Sequence, residues 1–251
     1  MKKVNLILIA LVAVVGLQFV GCEQENLELL ESNNQKSFKS YSIAKFPTRA
    51  NFHSIIGHAH NEAGKYFIDE QHVFNVDTLE SIITEIFIAN GMDATTKPKR
   101  LNYDELLRFA DSTYEAKVLF DSLIISQNID IETLPSEWYV LYCDLIPKME
   151  KGGNISEYIK NETNLEDEAL QMQMLGFESV YDSSSSYWNE VNMPWWAIPD
   201  GIGAAVGGIY ECGDQWRHGE WDDGFSGDDA WDIAWSAVIG AAAMSFGGSP
   251  N

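Results

Sequence analysis

The chain has 251 residues, with 16 Lys and Arg against 38 Asp and Glu, and a formal net charge of −22. So negative a surface repels nucleic acid and anionic lipid headgroups, which excludes both as partners. At 45% hydrophobic residues the chain can bury a real core, in one or two domains, and no repeat of fixed period runs through it.

The opening reads as a targeting segment. Lys2 and Lys3 precede an almost unbroken apolar run from Ile7 to Val20, and Gly21-Cys22 is followed at once by Glu23, Gln24 and Glu25. Phe19-Val20-Gly21-Cys22 resembles the lipobox of a bacterial lipoprotein signal, with Phe19 where Leu is more usual. The resemblance implies a signal peptide over residues 1–21 and a multiply acylated, palmitate-bearing Cys22 as the first mature residue, held to a membrane through its lipid. The alternative is an uncleaved anchor, for which the run is short of the roughly 20 residues a span needs. Removing residues 1–21 leaves 14 basic and 38 acidic residues, a net charge of −24. The acid-rich start after Cys22 resembles the surface-export tags of Bacteroidota lipoproteins and lacks the Asp that marks inner-membrane retention. That implies an outer-membrane location, facing the cell surface.

Residues 22–45 read as a flexible polar tether, and 46–193 as a helical domain. Ile55 to Val73 carries Ile56, Ala59, Ala63 and Tyr66 or Phe67 on one helical stripe, with Gly64 weakening its middle. Asp77 with Glu80 forms a capping box for a helix bearing Leu79, Ile82, Ile83, Ile86 and Phe87, closed by Asn90-Gly91. After a basic loop from Ala94 to Arg100, Asn102 with Glu105 starts a helix that keeps Leu106, Phe109, Tyr114, Leu119 and Leu123 inside and ends near Ser126. Thr133-Leu134-Pro135 opens the next, with Trp138, Leu141, Tyr142 and Leu145 apolar. Pro147 should kink or end it, and Gly152-Gly153 should stop it. Asn154 with Glu157 caps a short segment. Asn164 with Asp167 caps a longer one through Ala169, Met172, Leu175 and Val180, with an interruption expected at Ser183 to Ser186. No hairpin dipeptide sits between alternating runs. The expected fold is therefore all-α, a bundle of six to eight helices.

Residues 194–251 change character. Seven of the eight tryptophans lie between Trp188 and Trp235, and two Gly/Ala-rich apolar runs flank a Trp-, Gly- and Asp-rich connection. Asp200 is expected to cap one helix and Asp228 or Asp229 a second. Gly203 and Gly207, Ala204 and Gly208, Ser236 and Gly240, and Ala237 and Ala241 are each four apart, so each helix offers a face without large side chains. Two backbones can approach closely along such faces. The expected element is an αα-hairpin packed through Gly and Ala that closes the bundle. Insertion into a membrane is the alternative: Ala230 to Phe246 is about 17 residues, at the lower limit for a span, and contains Asp232.

Two clusters are candidates for chemistry. His53, His58, His60 and His72 lie within twenty residues, beside Glu62, Asp69 and Glu70. Imidazole with carboxylate is zinc-ligand chemistry, but His58 and His60 point apart on a helix, no H-E-x-x-H is present, and His58 and Glu62 share a face suited to an ion pair. Gly57-His58-Ala59-His60-Asn61-Glu62, with Tyr66-Phe67-Ile68, resembles the short H-N-E segment near the mature start of many uncharacterised secreted and lipid-anchored Bacteroidota proteins, several of which also end in a Gly/Ala-rich helical tail. It departs in having Ala63-Gly64 where Gly then Leu is expected. The resemblance implies no activity; it marks His58, His60, Asn61 and Glu62 as a polar cluster, structural or functional. Contact between that cluster and the C-terminal hairpin would make the two stretches one unit.

The second cluster is the connection. Asp222 and Asp223 lie among further carboxylates on a Gly-rich loop, but the run does not fit EF-hand spacing, so no calcium site is assigned. Trp216, Trp221 and Phe225 beside Asp222 and Asp223 would form a binding surface for carbohydrate or peptide; Trp195-Trp196 would add to that surface or form a hydrophobic lid on the hairpin. Cys143 and Cys212 remain as a possible disulfide, or as buried thiols. No G-x-S-x-G, phosphate loop or cofactor motif is present. These features read as a non-enzymatic, lipid-anchored outer-membrane protein that binds an envelope glycan or protein. The alternatives are a membrane-active or antibacterial-type effector using the hairpin, and a metal-dependent hydrolase using the His53 to His72 cluster.

Overall fold

A computed structural model describes residues 49–95, 98, 100–110, 115–162, 167–190, 196–221 and 224–247. Cys22 with its signal, the tether 22–45, Trp195, and Asp222 and Asp223 lie outside the described residues. Among those described are nine α-helices and no strand, so the chain is all-α. They are α1 (Arg49–Gly64), α2 (Val76–Ala89), α3 (Tyr103–Ala110), α4 (Ala116–Ser126), α5 (Ser136–Glu150), α6 (Ile155–Glu162), α7 (Glu168–Glu190), α8 (Ala197–His218) and α9 (Gly227–Phe246).

The last two helices form the middle of the molecule. In α9 every residue from Ile233 to Phe246 is buried, and in α8 every residue from Asp200 to Gly213. A helix apolar all round must be enclosed by others, and here α7 packs on both, α1, α2 and α3 on α9, and α4 and α5 on α8. The two helices run antiparallel and nearly touch. A Cβ at Gly203 would meet the Gly240 carbonyl oxygen, and one at Gly207 the Ser236 carbonyl oxygen, so the register pairs 203 with 240 and 207 with 236. The small-residue spacing of four thus does what it suggests: it lets two backbones meet and recovers in packing the roughly 1 kcal/mol that each helical Gly costs relative to Ala. The described residues form one compact unit, with the hairpin as its core. None of the described helices is long and apolar enough to cross a membrane.

Several local expectations are corrected. The helix expected from 103 to 126 is two, because Glu115 is extended (ψ 143°) and the Ala116 amide is capped across the bundle by Glu150 Oε1 at 3.3 Å. Pro147 neither ends α5 nor breaks it: buried Ile146 and Met149 hold the last turn in the core despite the lost amide. Ser183 to Ser186 does not interrupt α7. Ser186 bonds back to the Asp182 carbonyl at 3.1 Å, and a Cβ at Gly57 would collide with Ser183, so the serines are small residues that let α1 and α7 approach. Caps also shift. Asn75 caps α2 through the Thr78 amide, and Ser226 forms the capping box of α9 with Asp229. Asp200, expected as a cap, lies inside the first turn of α8 and is buried. No disulfide joins Cys143 and Cys212; both are buried thiols. Tyr142 lies beside Cys212, whose thiol burial pushes far above its usual pKa. Its neighbour Cys143 is therefore turned about 100° away around α5, towards Tyr139.

Candidate functional site

The H-N-E stretch is the last turn of α1, and the structure splits it between interior and surface. His60 is fully buried. Its Nε2 lies 3.2 Å from Asp200 Oδ2, an ion contact between two side chains with no exposed area, and its Nδ1 lies 3.1 Å from Asn61 Oδ1. The same Asp200 oxygen accepts from Trp188 Nε1 at 2.8 Å and from the Ser184 hydroxyl. Phe246, near the end of α9, covers the His60 ring at 5.3 Å between centroids. Burial alone would depress the imidazole pKa. The Asp200 carboxylate overrides it and raises the pKa, which favours the protonated imidazole. His60 and the hairpin are therefore one structural unit, closed to solvent. Asp200 is the residue whose role sequence reasoning missed: Asp at a helix start reads as a cap, and its real partner is 140 positions away.

The other histidines do not converge. His58 faces solvent with Nδ1 4.0 Å from Glu62, the expected i,i+4 pair. His72 stacks on Tyr66 at 4.0 Å and lies 3.4 Å from Glu70. His53 lies on α1 against α7, 3.7 Å from Asp182. Among the described residues, one His and carboxylate group has all its ligand atoms within 4.8 Å of one another: His53, Glu178 and Asp182. Sequence reasoning did not find the two acids, although their spacing of four on one helix was a usable signal.

Beyond Gly64 the backbone widens into a π-turn, Lys65 to Asp69, closed by the Glu70 amide on the Lys65 carbonyl at 3.0 Å. Such turns are rare and concentrate at functional sites. Gln71 follows with φ +58°, a conformation that side chains seldom adopt. Beside this turn α1 and α2 line an open cleft of about 380 Å³. Half-buried Tyr66, Ile82 and Ile86 form its apolar part, and Glu62, Glu70 and Glu85 with Lys65 its polar part.

At the far end of the hairpin the aromatic surface expected of the connection is a packed cluster instead. Trp221 is 7% exposed, with Nε1 bonded to Gln215 Oε1 at 3.0 Å. Its ring lies 5.7 Å from the fully buried Trp138, 6.0 Å from Trp216 and 5.6 Å from Phe225. Trp216 and Phe225 are half-buried at its edge. These rings pack edge to face on one another, so Trp221 is not the exposed stacking platform expected. Below them Glu211 accepts from Gln215 and Ser236, each at 3.2 Å. Asp232, one turn into α9, has its pKa pushed up to about 8, first by burial and then by the charges of Glu211, Asp229, Asp228 and Glu220.

The chain matches no protein-family model, no curated protein and no solved structure.

Proposed function

We propose that this is a lipid-anchored outer-membrane protein, held by Cys22, whose helical body is a non-enzymatic binding module for a protein partner. The observation that supports it is the cleft at the π-turn. It joins an apolar strip to three carboxylates and one lysine, so its chemistry suits a segment that presents basic and aliphatic side chains together. The polar cluster of the H-N-E stretch serves this reading in two ways. His60 locks the end of α1 to the hairpin, and Glu62 stands on the rim of the cleft. The test is anisotropy of a labelled peptide of mixed Lys and Leu, read against the full chain and against Glu62→Lys/Glu85→Lys. The expected result is at least tenfold weaker binding by that variant and little change for Glu132→Lys/Glu137→Lys, which alters net charge equally elsewhere. Equal weakening by both pairs would reduce the effect to bulk charge and overturn the reading.

A second reading treats the hairpin as a membrane-active element. It is favoured by the burial of almost every residue of α8 and α9 inside a sheath of other helices. Its physical difficulty is charge: Asp200 and Glu211 bracket only the ten residues Gly201–Tyr210, about 15 Å of helix, half the hydrocarbon thickness. Leakage of dye from lipid vesicles by the full chain at neutral and mildly acidic pH separates the readings, and intact vesicles remove the second.

A further inference from the structure

His53 lies on α1 and Glu178 and Asp182 on α7, two helices that pack directly on each other. Glu178 and Asp182 are one turn apart and so share a face of α7. His53 meets them from α1, with Nε2 3.7 Å from Asp182 Oδ2 and all three ligand atoms within 4.8 Å of one another. Ligands around one zinc ion, each at about 2.0–2.2 Å, stand roughly 3.4 Å apart, so small side-chain rotations bring these three to a common centre. Three further features make the arrangement a built one. Gly57, one turn beyond His53, lets α1 sit directly on Ser183, which fixes the separation of the two helices at this level. Ser156 on α6 donates to Asp182 Oδ2 at 3.0 Å and holds that carboxylate in place. Exposure is graded across the set: Glu178 is buried, while the His53 and Asp182 side chains are 32% and 45% exposed. An ion would therefore have a buried inner ligand and an open outer side.

We infer that His53, Glu178 and Asp182 form a binding site for one divalent transition-metal ion, clasping α1 to α7. One imidazole and two carboxylates are the mixed nitrogen and oxygen set suited to zinc and its first-row neighbours. The two carboxylates neutralise the ion, and water completes its coordination from the solvent side. The site is distinct from the cleft of the proposed function, since none of its residues lines that cleft. It is also distinct from a site built on the histidine-rich stretch alone, because His58, His60 and His72 each have other partners.

The test is calorimetric titration of zinc into the chelator-treated full chain, alongside His53→Ala, Asp182→Asn and His58→Ala. The expected result is one zinc ion per chain, at least tenfold weaker binding in each of the first two variants, and wild-type affinity in His58→Ala. Asp182→Asn keeps side-chain shape at a partly exposed position, and its circular dichroism checks that the helices persist. Bound zinc should also raise the melting temperature of the wild type and not of Asp182→Asn. No zinc uptake by the wild type, or unchanged affinity in both His53→Ala and Asp182→Asn, would overturn the inference.

Discussion

At one end of the central hairpin, Asp200 is fully buried and met by His60, Ser184 and Trp188. At the other, Asp232 stands within electrostatic reach of Glu211, Asp228, Asp229 and Glu220. The same two helices thus carry carboxylates inward at both ends and satisfy them in opposite ways. A buried carboxylate must either be paired and hydrogen-bonded or give up its charge. Asp200 takes the first course: its donors come from α1 and α7, and the contact ties the start of α8 to both. Asp232 takes the second, since its surroundings favour the protonated form. The first end is a knot that specifies the fold, and the second is a place where protons report on it.

The largest effect should follow from cutting the knot. His60→Ala and Asp200→Ala each leave a buried, uncompensated partner and should each cost about 3–5 kcal/mol, measured by urea unfolding. The double substitution should cost clearly less than the sum, because the second change removes the group that the first left unpaired. Strict additivity would mean that the two side chains are merely neighbours and that the two ends of the hairpin do not differ in kind.

The contrast also marks what can be read from a sequence. The Gly/Ala hairpin was legible, because spacing by four dictates a bare helix face whatever surrounds it. So were most helix bodies and the caps at Asn102 and Asn154, whose side chains accept from Glu105 and Glu157. Long-range partners were not. The Asp200 contact to His60 and the Glu150 cap on Ala116 depend on packing that no local pattern encodes. The serine run misled for a related reason: in a local reading Ser breaks helices, whereas against Gly57 its small size is what the packing needs. Trp221 was legible as an aromatic on an acidic loop, but whether it faces solvent depended on Trp138, some eighty residues earlier. Of the candidate site, the sequence marked the H-N-E stretch and its Glu62. The cleft itself required the π-turn and the approach of α2.

The smaller effect belongs to the acidic end and appears as a pH dependence. Asp232 has a folded pKa of about 8, well above its ordinary value of 3.8. Between those values the folded state holds more protons than the unfolded state, so this group's contribution is complete at low pH and is lost as pH rises towards 8. His60 acts in the same direction, since Asp200 holds its pKa above 6.5 and its contribution also fades with rising pH. The wild type should therefore melt at a higher temperature at pH 5 than at pH 8.5. Asp232→Asn keeps the shape and removes one of the two titrating groups, so its melting temperature should fall less over that interval and match or exceed the wild type at pH 8.5. His60→Ala should leave the Asp232 part of the slope in place. An Asp232→Asn protein with the full wild-type slope would show that the acidic end is screened by solvent, and that the knot alone sets the response to pH.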